Sequence, residues 1–395
     1  MSNKLYELVI FVRNFVCDGV MSLLPRTRCC SVDKPAILLV RLDAIGDFIL
    51  WLGAAAELRR LYPPESYRLV LFGNAIWTEL AVKLPYFDEV IPVDRKRLYY
   101  DLRYRLKMWR LLRGRSWATV IHPTYSRDFL YGDAAVRVSG AAKRIGSKGD
   151  LSNQPAWQKW ISDRWYTQLL PASDKPLMEL ERNAEFIRVL GLEDFRAGMP
   201  ELAINTKLPS KFDARDYIVI VPGGSLALKQ WPVERFAELS ERIHRVLGFK
   251  LIVCGSQIET LLGSRLRILA AGEEAGWIED WTGKTSLSEL AMIIKGAKML
   301  IGNDSSAVHI AAAVGTPAFC VVGGGHFGRF VPYRLEKETT KPMPIAIFHQ
   351  MECYGCNLKC TKALDRDAPG VCIHQITVDD VWEKLTVFLT DMGEM

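Results

Sequence analysis

The stretch from Leu300 to Pro317, LIGNDSSAVHIAAAVGTP, constrains the fold more than any other part of this chain. An apolar run from Lys298 to Ile301 reads as a buried strand. Gly302-Asn303-Asp304 reads as a turn, and Ser305 or Ser306 as the N-cap of a short Ala-rich helix closed by Gly315 and Pro317. A strand that passes at once into a capped helix belongs to an open sheet with helices packed over it. The first N–H groups of such a helix lack internal partners, and the helix dipole adds about half a positive charge beside them, so a diphosphate can bind there without a metal. An ordinary βα unit shows the same pattern. Asp304 and His309, polar groups at or just beyond the mouth of a helix otherwise built from small apolar residues, favour a binding site.

The same alternation of strand and helix runs through the chain and implies parallel sheets flanked by helices. In the first half, Ala36 to Arg41 is a strand, Leu42 to Gly46 a turn, and Asp47 to Tyr62 a helix stopped by Pro63-Pro64. Further strands are expected at Tyr67 to Phe72, Glu89 to Val93 and Thr119 to His122. A linker from Asn205 to Asp213 precedes a second half with strands at Tyr217 to Val221, Lys250 to Cys254, Lys298 to Ile301 and Ala318 to Val322, and a helix after Trp231-Pro232 running through Leu247. The expected organisation is an N-terminal helical segment (1–34), two Rossmann-like domains facing across a cleft (35–205 and 206–376) and a C-terminal helix (377–395). The cleft would take a ligand at the C-terminal ends of both sheets.

With 395 residues, 49% hydrophobic and 24% charged, the composition is that of a globular protein with room for two cores. The net charge of +6 matters less than its placement. Nine Arg or Lys residues lie between Arg95 and Arg115 against the single acid Asp101, interleaved with Leu98, Leu102, Leu106, Trp109 and Leu112. That spacing predicts one basic amphipathic helix facing a phosphorylated acceptor or an anionic membrane surface. No nucleic-acid motif accompanies it, so no nucleic-acid partner is expected. Residues Leu5 to Leu24 are apolar but interrupted by Glu7, Arg13, Asn14 and Asp18, which predicts a helix packed on the body or lying in a membrane interface rather than a span. Nine cysteines without a secretory signal point to a reducing cytoplasm, with attachment to the inner-membrane surface as the peripheral alternative.

Four ordered stretches carry a resemblance: RLDAIGDFIL (Arg41 to Leu50), VPGGSLALKQWPVERFAEL (Val221 to Leu239), TSLSELAMIIKGAKMLIGNDSSAVHIAAAVGTP (Thr285 to Pro317) and GRFVPY (Gly328 to Tyr333). Together they resemble glycosyltransferase family 9, the ADP-heptose heptosyltransferases of the lipopolysaccharide core. The resemblance implies a GT-B fold and inverting transfer of a heptose from ADP-heptose to a phosphorylated glycolipid. It implies no catalytic metal. A DxD at Asp365 and Asp367 reads as chance, being far from the phosphate motif.

By the same resemblance Asp47 is the general base, which must be ionised to accept the acceptor hydroxyl's proton; a helix N-terminus favours that charge. Gly46 beside it would let the acceptor approach, and Arg127 would meet the acceptor's phosphates. Lys229 is the phosphate-binding lysine, opposing charge on the departing diphosphate. Gly224 and Ser225 form its turn, and Asp304, Ser305, Ser306 and His309 complete the donor site. Gln257 stands where heptosyltransferases commonly place an acidic residue near the nucleoside. Gly323 to Gly328 spells G-x-G-x-x-G but comes late and lacks the acid about 20 residues on. It is read instead as the loop approaching the sugar, with His326 and Arg329 as sugar contacts.

Cys353, Cys356, Cys360 and Cys372, in a loop over residues 353–372, have a spacing at which four thiolates can hold a structural Zn or Fe. The autotransporter-modifying branch of the family uses such a cluster for iron. Its acceptor, protein Ser, is the alternative to lipid. A non-catalytic sugar-nucleotide-binding scaffold and a GT-B epimerase are the competing readings; Asp47 and Lys229 together, and the ordered motifs, speak for transfer.

Overall fold

The runs Ala36–Arg41 and Tyr217–Val221 are buried at every residue, as strands covered by helices on both faces must be. Each starts a six-stranded parallel sheet. The structure, a computed structural model, describes residues 3–25, 34–209, 212, 216–272, 276–336, 338–362 and 368–393. Two compact units divide it: residues 1–176 with 181–196, and residues 177–180 with 197–395. The division falls before the expected linker, because Leu202 and Ile204 are buried and the Leu202 amide donates to the Ala313 carbonyl of the second unit (3.1 Å).

The first sheet comprises β1 (Ala36–Arg41), β2 (Arg68–Asn74), β3 (Glu89–Val93), β4 (Thr119–His122), β5 (Lys143–Ser147) and β6 (Gln168–Leu170), in the order β3-β2-β1-β4-β5-β6. The second comprises β7 (Tyr217–Val221), β8 (Lys250–Val253), β9 (Ile278–Asp280), β10 (Met299–Asn303), β11 (Ala318–Val321) and β12 (Ile345–Ile347), in the order β12-β11-β10-β7-β8-β9. Both orders reverse direction once, beside the unit's first strand: between β1 and β4, and between β7 and β10. In open α/β sheets, ligands bind outside the carboxyl ends of the strands at such a reversal.

Two helical expectations change. The helix expected from Asp47 runs instead from Ile45 to Leu61, placing Gly46 and Asp47 inside its first turn. The expected single basic helix is two, Arg95–Tyr100 and Leu102–Arg113. Asp101 breaks it by capping the second, its carboxylate accepting from the Tyr104 amide at 3.0 Å. Several of the cations are committed internally. Arg105 is buried against Asp18, Arg95 pairs with Asp128, Arg115 with Glu89, and Arg113 donates to the Ser22 and Leu24 carbonyls. Lys96, Arg103, Lys107 and Arg110 remain exposed.

The N-terminal helix, Asn3–Leu23, packs on the first unit through Ile10, Asn14, Asp18 and Met21. The C-terminal helix covers Val378–Asp391, capped by Thr377, whose hydroxyl accepts from the Asp380 amide at 3.2 Å.

Candidate functional site

In the second unit the turn after β7 and the turn after β10 meet at the sheet's reversal point. Asn303, the last residue of β10 and wholly buried, holds them together. Its Nδ2 donates to the carbonyls of Pro222 (2.7 Å) and Gly223 (3.2 Å), and its Oδ1 accepts from the Trp231 amide at 2.9 Å. One amide thus fixes the Gly223-Gly224-Ser225 turn against the start of the next helix. Gln230 closes the same turn with a bond to the Gly224 carbonyl at 2.8 Å.

The turn after β10 leads into the helix N-terminus at which an anion receptor is expected. The helix spans Ser306–Val314 with Ser305 as N-cap, and Gly315 ends it at φ 83° in the left-handed region that suits glycine. The Ser305 hydroxyl is buried and has no hydrogen-bond partner among the described residues. A buried unpaired hydroxyl costs stability unless something else meets it, which marks the spot where a ligand oxygen would sit. Across this mouth Lys229 Nζ lies 2.6 Å from Asp304 Oδ2, with Asp304 only 6% exposed. Two residues 75 positions apart are thereby joined, with the ammonium held on the residue that precedes the N-cap Ser305.

His309 is not at the mouth. It is buried one turn into the helix, and its Nδ1 is 2.8 Å from the Tyr333 hydroxyl, with the two rings stacked. Its placement ties the 328–333 segment to the helix. Burial holds the Tyr333 hydroxyl well above its ordinary pKa, so it stays protonated.

Gln257 is exposed in the short turn Gln257–Glu259 that follows β8, and the carboxylate that reaches the Gly223-Gly224-Ser225 turn belongs to Glu259. Glu259 accepts from the Ser256 amide and hydroxyl, both at 2.6 Å. A Cβ at Gly223 would lie 1.7 Å from Glu259 Oε1, so this carboxylate abuts the turn only because residue 223 is glycine. The Ser256-x-x-Glu259 capping box was the available signal for it.

Lys229, Asp304, His326, Cys356, Cys360 and Cys372 share the wall of one pocket, with Gly323, Gly325 and Gly370 among its other lining residues. The glycine loop packs closely against the cysteine loop. A Cβ at Gly324 would meet the Tyr354 ring at 2.5 Å and one at Gly325 would meet Leu358 at 2.3 Å. The amides of Gly355 and Asn357 donate to the carbonyls of Gly324 (2.8 Å) and Gly325 (3.0 Å). His326 Nε2 is 2.8 Å from the Asn357 side-chain oxygen, and burial lowers its pKa, so the ring is neutral at physiological pH. Arg329 stacks over Phe330 and lies 3.5 Å from Glu179 rather than in the pocket wall. Three of the four clustered cysteines thus line the pocket, but among the described residues no group of three or more His, Cys, Asp or Glu side chains is arranged to hold a metal ion. Asp365 and Asp367 lie outside the described residues.

In the first unit, the turn after β1 ends at the Ile45–Leu61 helix, with Asp47 in its first turn. No hydrogen bond or ion pair engages the Asp47 carboxylate among the described residues, and the helix has no side-chain cap. The backbone beneath it is braced. Buried Arg41 donates to the Asp47 carbonyl (3.1 Å) and pairs with Asp43 (2.9 Å). Asn74 and Trp77 donate to the Asp43 carbonyl at 2.9 and 3.0 Å, and Arg95 to the Leu42 carbonyl at 2.6 Å. A partly exposed carboxylate, free of partners on a fixed turn at a helix N-terminus, is suited to take a proton from a bound hydroxyl. Gly46 beside it is partly exposed.

Arg127 departs from its expected part. It is wholly buried, pairs with Asp163 and with Asp133 (3.4 Å), and lies over the Tyr166 ring at 4.7 Å. With its charge spent on two internal carboxylates, it braces the loop after β4 and does not present itself to an acceptor phosphate.

Residues 172–342 match the model of glycosyltransferase family 9 (heptosyltransferase). The chain is 25% identical over 288 residues to lipopolysaccharide heptosyltransferase 3 of Escherichia coli K12, covering 70% of this chain and 79% of that one. Its fold is shared with a family 9 glycosyltransferase of Veillonella parvula (TM-score 0.68, 18% identity, 90% and 97% of the two chains). It is shared more distantly with the dodecameric iron-containing heptosyltransferase TibC of enterotoxigenic E. coli, solved with ADP-D-β-D-heptose (TM-score 0.53, 16% identity, 91% and 79%).

Proposed function

This chain belongs to glycosyltransferase family 9, and from that premise we propose that it transfers a heptose from ADP-heptose to a hydroxyl of a phosphorylated lipopolysaccharide-core glycolipid, with inversion at the sugar carbon. Membership makes it a transferase of the α/β GT-B class; the donor, the acceptor and the residue roles are the proposal. The observation that carries it is the Lys229–Asp304 pair set against a helix N-terminus whose buried Ser305 hydroxyl lacks a partner.

In this reading the donor diphosphate takes the free N–H groups of Ser306 and its neighbours, the Ser305 hydroxyl and the Lys229 ammonium. Gly224 and Ser225 present backbone and hydroxyl from the adjoining turn, and Glu259, not Gln257, supplies the carboxylate for the nucleoside. Asp47 takes the proton from the acceptor hydroxyl as its oxygen bonds to the sugar C1. The bond from C1 to the diphosphate breaks, and ADP leaves with its added charge opposed by Lys229 and the helix dipole. The E. coli relative's name supports a lipopolysaccharide acceptor, and the ADP-heptose complex of TibC supports the donor. No step runs through the cysteine loop.

The test is nucleotide release by the purified full chain against ADP-, UDP- and GDP-sugars with a core glycolipid acceptor. Selective turnover of ADP-heptose is expected, and preference for a UDP- or GDP-sugar would overturn the donor assignment. In the same assay Lys229→Ala is expected to lower kcat/KM for the donor by about a hundredfold, with donor binding weakened as well. Unchanged donor affinity would remove Lys229 from the diphosphate site.

A further inference from the structure

A helix packed on a globular body normally buries its apolar stripe and shows its charges to water. The Asn3–Leu23 helix buries Ile10 and Met21 but also turns polar residues inward. Asp18 accepts from Arg105 and from the Trp109 indole (2.6 Å), and Asn14 donates to the Tyr99 carbonyl (2.9 Å). Glu7 accepts from the Tyr99 hydroxyl (3.0 Å), and Arg13 donates to the Tyr99 carbonyl (2.8 Å). The residues that interrupt the apolar run therefore all turn toward the protein. Outward stand Leu8, Val9, Val12, Val16, Val20 and Leu23, each 50–85% exposed. At about 100° per residue they fall in one arc of roughly 120° free of any charge. Scattered exposed apolar residues need no explanation, but a continuous stripe about 23 Å long does.

What borders the stripe indicates what covers it. Trp157 packs edge-on against Phe11 of this helix with centroids 5.7 Å apart, and is itself 53% exposed. Trp160, on the same short helix Ala156–Ser162, is 62% exposed, and the Arg164 guanidinium lies 3.5 Å over its ring. The Leu102–Arg113 helix, tied to the N-terminal helix through Arg105, carries Arg103, Lys107 and Arg110 at helical spacing. All three are exposed, with no ion-pair partner among the described residues. A Val/Leu stripe, half-exposed tryptophans and unpaired cations match, in order, the acyl boundary, the headgroup layer and the anionic phosphates of a bilayer. No helix among the described residues is long and apolar enough to cross a membrane.

We propose that the N-terminal helix is a membrane-docking element that lies in the interface of an anionic bilayer through its Leu8–Leu23 stripe, with Trp157 and Trp160 at the headgroups and Arg103, Lys107 and Arg110 against lipid phosphate. The surface is separate from the transfer chemistry, so its failure would leave the transferase reading intact. The test is sedimentation of the full chain with phosphatidylcholine vesicles, with and without phosphatidylglycerol. Strong binding to the anionic vesicles and weak binding to the neutral ones is expected. Val12→Glu with Val16→Glu, both at exposed positions, is expected to lower partitioning by at least about tenfold while leaving far-UV circular dichroism and donor affinity unchanged. Arg103→Glu with Lys107→Glu is expected to abolish the preference for anionic vesicles. Absence of wild-type binding, equal binding to both vesicles, or undiminished binding of the Val12/Val16 variant overturns the proposal. A dimer that the Val12/Val16 variant turns into monomer, without vesicle binding, overturns it by assigning the stripe to a second copy of the chain.

Discussion

Asp47→Asn is expected to lower turnover by about a thousandfold at saturating donor and acceptor while leaving donor affinity within twofold of wild type. The substitution keeps shape and removes only the ability to take a proton. The carboxylate makes no internal bond among the described residues, so the fold loses little, within roughly 0.5 kcal/mol. The bonds from Arg41, Asn74, Trp77 and Arg95 engage backbone carbonyls of the preceding turn and of residue 47, and these survive the change. A fall in kcat with unchanged donor binding is therefore the signature of lost proton transfer rather than lost structure. Retained turnover, measured as ADP release and confirmed by thermal midpoint, would sink the assignment of Asp47 as base.

Most of the longer strands were legible because strands buried on both faces are written as apolar runs; β3, at a sheet edge and only partly buried, was legible from its Val and Ile residues. β1, β2, β3 and β4, and β7, β8, β10 and β11, all fall within a residue or two of the expected positions. β6, β9 and β12 have three residues each, and β5 reads Lys-Arg-Ile-Gly-Ser, so none of these four contains a run that hydrophobicity alone could find. At the proposed donor site, local signals located the cap and ends of the helix at Ser305, Ser306 and Gly315, because caps and helix ends depend on neighbouring residues. What could not be read was which charges meet. Lys229 pairs with Asp304 across 75 positions and Arg127 with Asp163 across 36, and a cation spent on a distant carboxylate looks in sequence like one facing solvent. That is why Arg127 and several cations between Arg95 and Arg115 read as ligand-facing.

The glycine and cysteine motifs show a second kind of ambiguity. G-x-G-x-x-G requires close approach at its glycines without saying what approaches. Here the answer is Tyr354 and Leu358 of the cysteine loop. Gly324 N lies 3.4 Å from Cys372 Sγ, which places that thiol at the edge of the pocket that Lys229 and Asp304 also line. The cysteine loop is therefore part of the wall of the proposed donor site, and changes in that loop should be read first as changes in pocket shape.

Asp18→Ala is expected to destabilise the first unit by about 3–5 kcal/mol, the largest stability effect anticipated for a single substitution here. Asp18 and Arg105 are 1% and 0% exposed, and the carboxylate accepts from Arg105 Nε at 2.7 Å, from Arg105 Nη2 at 2.5 Å and from Trp109 Nε1 at 2.6 Å. Removing it strands a guanidinium in the interior, where the remaining bonds to the Leu98 and Leu130 carbonyls, both 2.9 Å, cannot neutralise the charge. At roughly 2–4 °C per kcal/mol for a unit of this size, the thermal midpoint should fall by about ten degrees. The double change Asp18→Leu with Arg105→Met removes both charges and should recover most of that loss, since buried pairs are costly chiefly when broken by half. If the double variant is instead as unstable as the single one, the pair matters as the clasp of the N-terminal helix rather than as a charge, and proteolysis near residues 24–25 should rise in both.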